Sequence, residues 1–310
     1  MTVDSVRPNR GSVVTIGVFD GVHRGHRALL AQARAVADGM SLSLIAVTFD
    51  PHPLEIVRPG FEPHLLASVA YRFRLLREAG AHRVEVLHFD HAMSQLTPEE
   101  FVDQVLVDRL DVKAIVIGEN FTFGHRAAGN VQTLTELGAS RGFSVIPAQL
   151  VTAPEGVLSS TWVRALVAEG RVAEAAEVLM RPHRVEGTVV HGDHRGREIG
   201  YPTANLGDVA RAAIPADGVY AGFLVIDPQG AATALPAAIS VGTNPTFGEN
   251  SRRVEAYVFD SGHELALYDL PVAVDFVENL RPMVAFDDID SLLTQMAADV
   301  DQAREITTRG

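Results

Sequence analysis

His23 and His26 stand three residues apart in the run Gly17-Val18-Phe19-Asp20-Gly21-Val22-His23-Arg24-Gly25-His26. The run follows a β-branched apolar stretch and leads into a helical pattern, so both imidazoles fall at the start of a helix. A helix N-terminus offers N–H groups and the positive end of its dipole to a phosphate. Two imidazoles in that first turn can flank the same phosphate, and Gly25 lets the backbone come close. A second group lies far along the chain, where Gly192, Gly196 and Gly200 recur every fourth residue before Tyr201-Pro202-Thr203-Ala204-Asn205. Such a loop can wrap a polyphosphate with its amides. Glu255 interrupts a mostly apolar strand pattern, Val254, Ala256 and Val258. A carboxylate there is either an exposed residue, pairing with Arg252 or Arg253, or a placed base.

These residues need elements to hold them. The first half alternates strand and helix: strands over Val13–Phe19, Leu42–Phe49, Val84–Phe89, Ala114–Gly118 and Phe143–Gln149, with helices between. Thr97-Pro98-Glu99-Glu100 is a capping box with proline at the first helical position, opening a helix to about Leu110. Five strands with intervening helices predict a Rossmann-like parallel sheet covered on both faces, with ligands at the carboxyl ends of its strands. Two short helical stretches, Trp162–Glu169 and Val172–Leu179, lead to Arg181-Pro182, where a helix cannot easily continue. Beyond lie short strands, Gly187–Val190, Val219–Ile226, Ala234–Val241, Val254–Phe259 and Val272–Val277, then a helix over Ile289–Arg304. That pattern predicts a small closed β-barrel with a C-terminal helix, and a boundary near residue 182 gives domains 1–182 and 183–310.

Composition narrows the chemistry. A net charge of −13 speaks against a broad nucleic-acid footprint. The absence of cysteine removes disulfides, thiolate metal sites and a Cys nucleophile. Of 26 basic residues one is lysine, Lys113, so the lysine-bearing phosphate loop G-x-x-x-x-G-K-[ST] is missing. If the chain handles ATP, then arginine, histidine, helix N-termini and a metal must hold the phosphates. No run of eighteen apolar residues occurs and the first residues lack a signal-peptide core, so no membrane association is expected and a cytoplasmic location is. His88-Phe89-Asp90-His91 reads as a loop at a strand end in preference to a metal site, and Asp287-Asp288-Ile289-Asp290 as an acidic start to the last helix.

The Gly17–His26 segment resembles the H-x-G-H signature of the nucleotidyltransferase superfamily. In its full length it is similar to the prokaryotic bifunctional riboflavin kinases/FMN adenylyltransferases. Further matches follow in order: Thr48-Phe49-Asp50-Pro51-His52-Pro53, Gly118-Glu119-Asn120-Phe121-Thr122-Phe123-Gly124 and Ser159-Ser160-Thr161-Trp162-Val163-Arg164. In the second half, Gly192–Asn205, Asn244-Pro245-Thr246-Phe247-Gly248 and Glu255–Asp260 match as well. The resemblance implies a nucleotidyltransferase domain that joins FMN to the α-phosphorus of ATP and releases pyrophosphate. It implies that Gly17, Phe19, Asp20, Gly25 and Asn120 bind ATP, with Ser159, Ser160 and Thr161 on its β- and γ-phosphates and Arg164 as a clamp. His23, His26 and Arg164 would stabilise charge together with Mg²⁺. Asp50, His52 and Pro53 either lie near the flavin or adenine or form only a rigid turn. In the barrel, Gly192, Gly196, Gly200 and Pro202 would contact ATP, Thr203 and Asn205 would hold its Mg²⁺, and Glu255 would take the riboflavin 5′-hydroxyl proton. The implied partners are small molecules: ATP, riboflavin, FMN and the product FAD.

The resemblance covers roughly residues 12–305, with local departures. Met180-Arg181-Pro182-His183 replaces the usual Gly-Arg-Pro-Tyr, Pro282 stands where an acidic residue is usual, and Ser261-Gly262-His263-Glu264 is less typical. Two rival expectations differ in class: a nucleotidyltransferase for another phosphate acceptor, and a flavin- or nucleotide-binding regulator without catalysis. The regulator would be expected to lack one of the phosphate-binding residues, and all are present.

Overall fold

The computed structural model describes residues 11–149, 151–153, 156–192, 196, 199–243, 252–259 and 266–309. Its contacts divide the chain into two units. The first takes residues up to Pro63 and Val69–Leu158; the second takes His64–Ser68 and everything from Ser159 onward.

The first unit is built on β1 (Ser12–Ile16), α1 (Arg24–Met40), β2 (Ser43–Asp50), α2 (Pro53–Val57), α3 (Val69–Glu78) and β3 (Arg83–His88). It continues with α4 (His91–Ser94), α5 (Pro98–Phe101), β4 (Val112–Gly118), the short pair β5 (Thr122–Phe123) and β6 (Gly129–Asn130), α6 (Val131–Arg141) and β7 (Ser144–Ala148). A hairpin, β8 (Thr152–Ala153) and β9 (Gly156–Val157), precedes the second unit. Five strands form one sheet in the order β3-β2-β1-β4-β7, and every pairing is parallel. All five residues of β1 are buried, which is why its sequence carries no polar alternation. The order reverses between β1 and β4, so the crevice beyond their carboxyl ends is the sheet's topological switch point.

The expected capping box is present: Glu100 N–H donates to Thr97 Oγ1 at 3.2 Å, and Thr97 N–H to the Glu100 carboxylate at 2.8 Å. The helix it opens winds as a π-helix over Val102–Arg109. Asp90 accepts from Met93 N–H at 2.7 Å and so caps α4, which accounts locally for the His88–His91 run. One strand end differs from expectation. β1 stops at Ile16, and Phe19 turns into the left-handed region at φ 53° instead of continuing the strand.

The second unit opens with α7 (Ser160–Ala168) and α8 (Val172–Leu179). Its barrel comprises β10 (His183–Val190), β11 (Ala204–Gly207), β12 (Gly218–Ile226), β13 (Thr233–Thr243), β14 (Arg252–Val258) and β15 (Pro271–Pro282). These close in the order β10-β11-β14-β13-β12-β15, and α9 (Ile289–Arg309) follows. Tyr220, Leu224, Ile239, Val254, Val274 and Phe276 fill the barrel, and Val172 of α8 joins the same core. Two results go beyond the sequence expectation. β11 is a full barrel strand, and β15 runs on to Pro282 through the polar Glu278 and Asn279, paired with β12. Asp288 starts α9 by accepting from Ser291 N–H at 2.7 Å; that bond holds its carboxyl below the usual range.

Candidate active sites

In the first unit, the turn after β1 delivers both histidines to the head of α1. His23 is the N-cap: its Nδ1 accepts from Gly25 N–H at 3.2 Å, and its ring is 3% exposed. An accepting Nδ1 carries no proton, so the neutral ring holds its N–H on Nε2. The His26 ring stacks on His23 with centroids 3.7 Å apart and meets Phe19 edge-on at 5.2 Å. A Cβ at Gly25 would stand 3.1 Å from the His23 ring, tight enough to disturb this pair. His26 Nδ1 is buried without a hydrogen-bond partner among the described residues. Burial first, and the neighbouring His23 second, push the His26 pKa well below its ordinary 6.5. The pair is therefore a largely dehydrated donor site that an anion would complete.

Around it, Asp20 is buried at 1% exposure, Gly17 lies at the end of β1, and Asn120 is exposed in the turn that leaves β4. The Gly17 and Asn120 segments thus flank the switch point. Asp50 ends β2, and its peptide bond to Pro51 is cis. His52 caps α2 by accepting from Leu54 N–H at 3.2 Å while its own N–H donates to Glu55 at 3.0 Å, and Pro53 is the first helical residue. The segment is thus a capped turn at the carboxyl end of β2.

Ser159, Ser160, Thr161 and Arg164 belong to the second unit and form a group of their own. Ser159 caps α7 by accepting from Trp162 N–H at 3.2 Å; Ser160 and Thr161 occupy the first turn. Arg164 donates from Nε to the His64 carbonyl at 3.0 Å, which fixes the base of its guanidinium.

The barrel brings a third group together by strand register. Asn205 of β11 lies opposite Glu255 of β14, and Ser240 of β13 flanks Glu255 on the other side. Thr203 Oγ1 donates to Glu255 at 3.2 Å, and Asn205 Nδ2 donates to Thr203 Oγ1 at 3.2 Å. Hydroxyl, amide and carboxylate oxygens so gathered are the hard donors that Mg²⁺ takes. Gly192 approaches closely: a Cβ there would stand 2.6 Å from Asn205 Nδ2. Gly196 accepts from Tyr201 N–H at 2.7 Å, and Gly200 has φ +87°, which tightens the loop entering Pro202 and Thr203. Arg252, one of the two cations considered for Glu255, pairs with Asp217 at 2.8 Å and donates to the Ile214 carbonyl at 3.1 Å. Asp193–Arg195, Arg197, Glu198, Asn244–Gly248 and Asp260–Glu264 lie outside the described residues.

Sequence reasoning missed Arg72 of α3, 1% exposed, which donates to the carbonyls of Val18 at 3.1 Å and Phe49 at 2.8 Å. The available signal was an arginine beside Tyr71, Leu75 and Leu76 on the buried face of the helix.

Family models described as FAD synthetase and as riboflavin kinase match residues 5–162 and 179–307. The chain is 36% identical to the bifunctional riboflavin kinase/FMN adenylyltransferase of Pseudomonas fluorescens, covering 97% of this chain and 95% of that one. The Escherichia coli K12 protein of the same name is 34% identical, with 97% and 94% covered. A crystal structure of a Streptococcus pneumoniae protein described as a macrolide-efflux protein superimposes with a TM-score of 0.84 at 34% identity, covering 97% and 96%. No helix among the described residues here is long and apolar enough to cross a membrane. Both halves match a family model and the relatives match nearly end to end, so the chain belongs to the family of bifunctional riboflavin kinases/FMN adenylyltransferases.

Proposed function

We propose that this chain phosphorylates riboflavin at the barrel and adenylylates the resulting FMN at the parallel sheet. The single observation that carries the reading is the register that sets Thr203, Asn205 and Glu255 together in one half, while the other half stacks His23 on His26 at a helix head.

In adenylyl transfer an oxygen of the FMN phosphate attacks the α-phosphorus of ATP. The new O–P bond forms as the α–β anhydride bond breaks, and pyrophosphate leaves. His23 presents Nε2–H from the N-cap, and the negative charge of a phosphate would favour the protonated form of His26 against the burial, and secondly the His23 neighbour, that lower its pKa. Ser159, Ser160 and Thr161 offer the capped N-terminus of α7 to the β- and γ-phosphates, with Arg164 as the charged clamp. Gly17, Phe19, Asp20, Gly25 and Asn120 shape the nucleotide side of this site. Asp50, His52 and Pro53 contact the flavin or adenine.

In phosphoryl transfer the riboflavin 5′-hydroxyl attacks the γ-phosphorus, its proton passes to Glu255, and ADP leaves. Gly192, Gly196, Gly200 and Pro202 enclose the ATP phosphates. The oxygens of Thr203 and Asn205 would hold Mg²⁺, which supplies charge neutralisation for the polyphosphate. A functional boundary near residue 182 is part of the same proposal; it falls just inside the stretch, residues 179–307, that the riboflavin kinase family model matches. A cytoplasmic location, magnesium dependence and reliance on small-molecule partners alone belong to this proposal. The test is FMN supplied with Mg-ATP: FAD and pyrophosphate should appear in equal amounts, and FAD without pyrophosphate, or no FAD, would overturn the adenylyl-transfer half.

A further inference from the structure

The turn between β1 and α1 is held in a costly conformation. Phe19 has φ 53° and Val22 φ 41°, and a β-branched residue in the left-handed region is a genuine outlier. Such residues cost on the order of 1–3 kcal/mol each and persist only where their surroundings over-determine them. What over-determines this turn is visible at the carbonyl of Val18, one residue before Phe19. It accepts from Thr48 Oγ1 at 2.8 Å and from Arg72 Nη1 at 3.1 Å. The other arm of the guanidinium donates to the carbonyl of Phe49 at 2.8 Å, one residue before Asp50. One side chain thus fixes two loops at neighbouring strand ends, the histidine-bearing turn after β1 and the Asp50–Pro53 segment after β2.

A planar fork suits this task, because its two arms reach acceptors on different loops at once. Lysine has one flexible ammonium and cannot reproduce both directions. Stability alone is a poor reason for the residue: a buried cation carries a large desolvation cost, and a well-packed apolar residue would often serve stability as well or better. Burial lowers the Arg72 pKa, the charges of Asp20 and Asp50 oppose that shift, and its Nε is buried without a partner among the described residues. We infer that Arg72 is a positioning residue for adenylyl transfer, setting the Val18 and Phe49 backbones so that the His23–His26 pair and the Asp50–Pro53 loop meet their substrates in register. This rests on the adenylyl-transfer reading above.

The experiment uses the full chain and measures FAD formation from supplied FMN, FMN formation from riboflavin, and the folded fraction of the first unit from urea titration. For Arg72→Lys the kcat for FAD formation, normalised to folded protein, should fall about tenfold to a hundredfold, the scale of a misplacement near 1 Å. KM for ATP should change far less, and FMN formation should be unaffected. Loss of folding alone lowers the folded fraction and leaves the normalised kcat intact. A normalised kcat within about threefold of the unsubstituted chain, well under that misplacement scale, overturns the inference. If Arg72→Lys does not fold, Thr48→Val decides: it removes the second donor to Val18, and an unchanged kcat overturns the inference while a loss confined to FAD formation supports it. Absence of FAD formation in the unsubstituted chain would instead remove the reading on which the inference rests.

Discussion

Replacing Glu255 with glutamine separates a base from a bystander. Glutamine keeps the length of the side chain and one carbonyl oxygen, so the 3.2 Å bond from Thr203 Oγ1 can survive. At worst that bond is lost, a cost of about 1 kcal/mol, equivalent to roughly fivefold. What glutamine cannot do is accept the hydroxyl proton, a contribution of roughly a hundred- to ten-thousandfold. At 1.36 kcal/mol per factor of ten, that corresponds to about 2.7–5.4 kcal/mol in the barrier. The two magnitudes do not overlap. Of the two cations that the bystander account offers, Arg252 and Arg253, Arg252 is taken by Asp217 and the Ile214 carbonyl. Steady-state FMN formation should therefore show a kcat loss of at least about a hundredfold with KM for riboflavin little changed, while adenylylation of supplied FMN proceeds normally. A variant within about threefold of normal kcat, below even the hydrogen-bond cost, would refute the assignment of Glu255 as base.

His26→Ala should lower FAD formation by roughly a hundred- to a thousandfold and leave FMN formation intact, measured on the same preparation. The depressed His26 pKa makes the first unit sensitive to acid. The unfolded chain binds the proton more readily, so the contribution of His26 is present above 6.5 and is lost as pH falls through 6.5 toward the folded value. Urea titrations from pH 7.5 to 5 should show this loss, and His26→Gln should flatten it. ATP binding should be accompanied by proton uptake in the same range, seen as a buffer-dependent heat in calorimetry. Val172 is fully buried in the barrel core and Val178 and Leu179 are nearly so; a fragment beginning at Ser159 should thus be several kcal/mol more stable than one beginning at His183, at roughly 1.5–3 kcal/mol per buried side chain. Melting of the two fragments checks it.

Signals local to a few residues were legible in the sequence. The capping box at Thr97 needs only residues 97–100, and the buried strands announce themselves as unbroken apolar runs because both faces of the sheet are covered. β11 gave no such signal. Ala-Asn-Leu-Gly contains no β-branched residue, and the strand exists because β10 and β14 supply its ladder from either side. The polar end of β15 was hidden for a similar reason: pairing with β12 carries Glu278 and Asn279 along, and Arg281 is anchored by Asp299 of α9 at 2.7 Å. The placement of both histidines at the head of a helix that follows a strand was legible in the sequence. The stacking of the two rings and the left-handed turn at Phe19 were not; the Val18 carbonyl beside that turn is held by Thr48 and Arg72, brought together only by the parallel sheet and α3.

The central claim is that one chain carries both steps, and riboflavin as the sole flavin tests it directly. With purified protein and excess Mg-ATP, chromatography over time should show FMN rising first and FAD following at its expense, with no other protein added. FMN accumulating without any FAD, or riboflavin left unchanged, would contradict it.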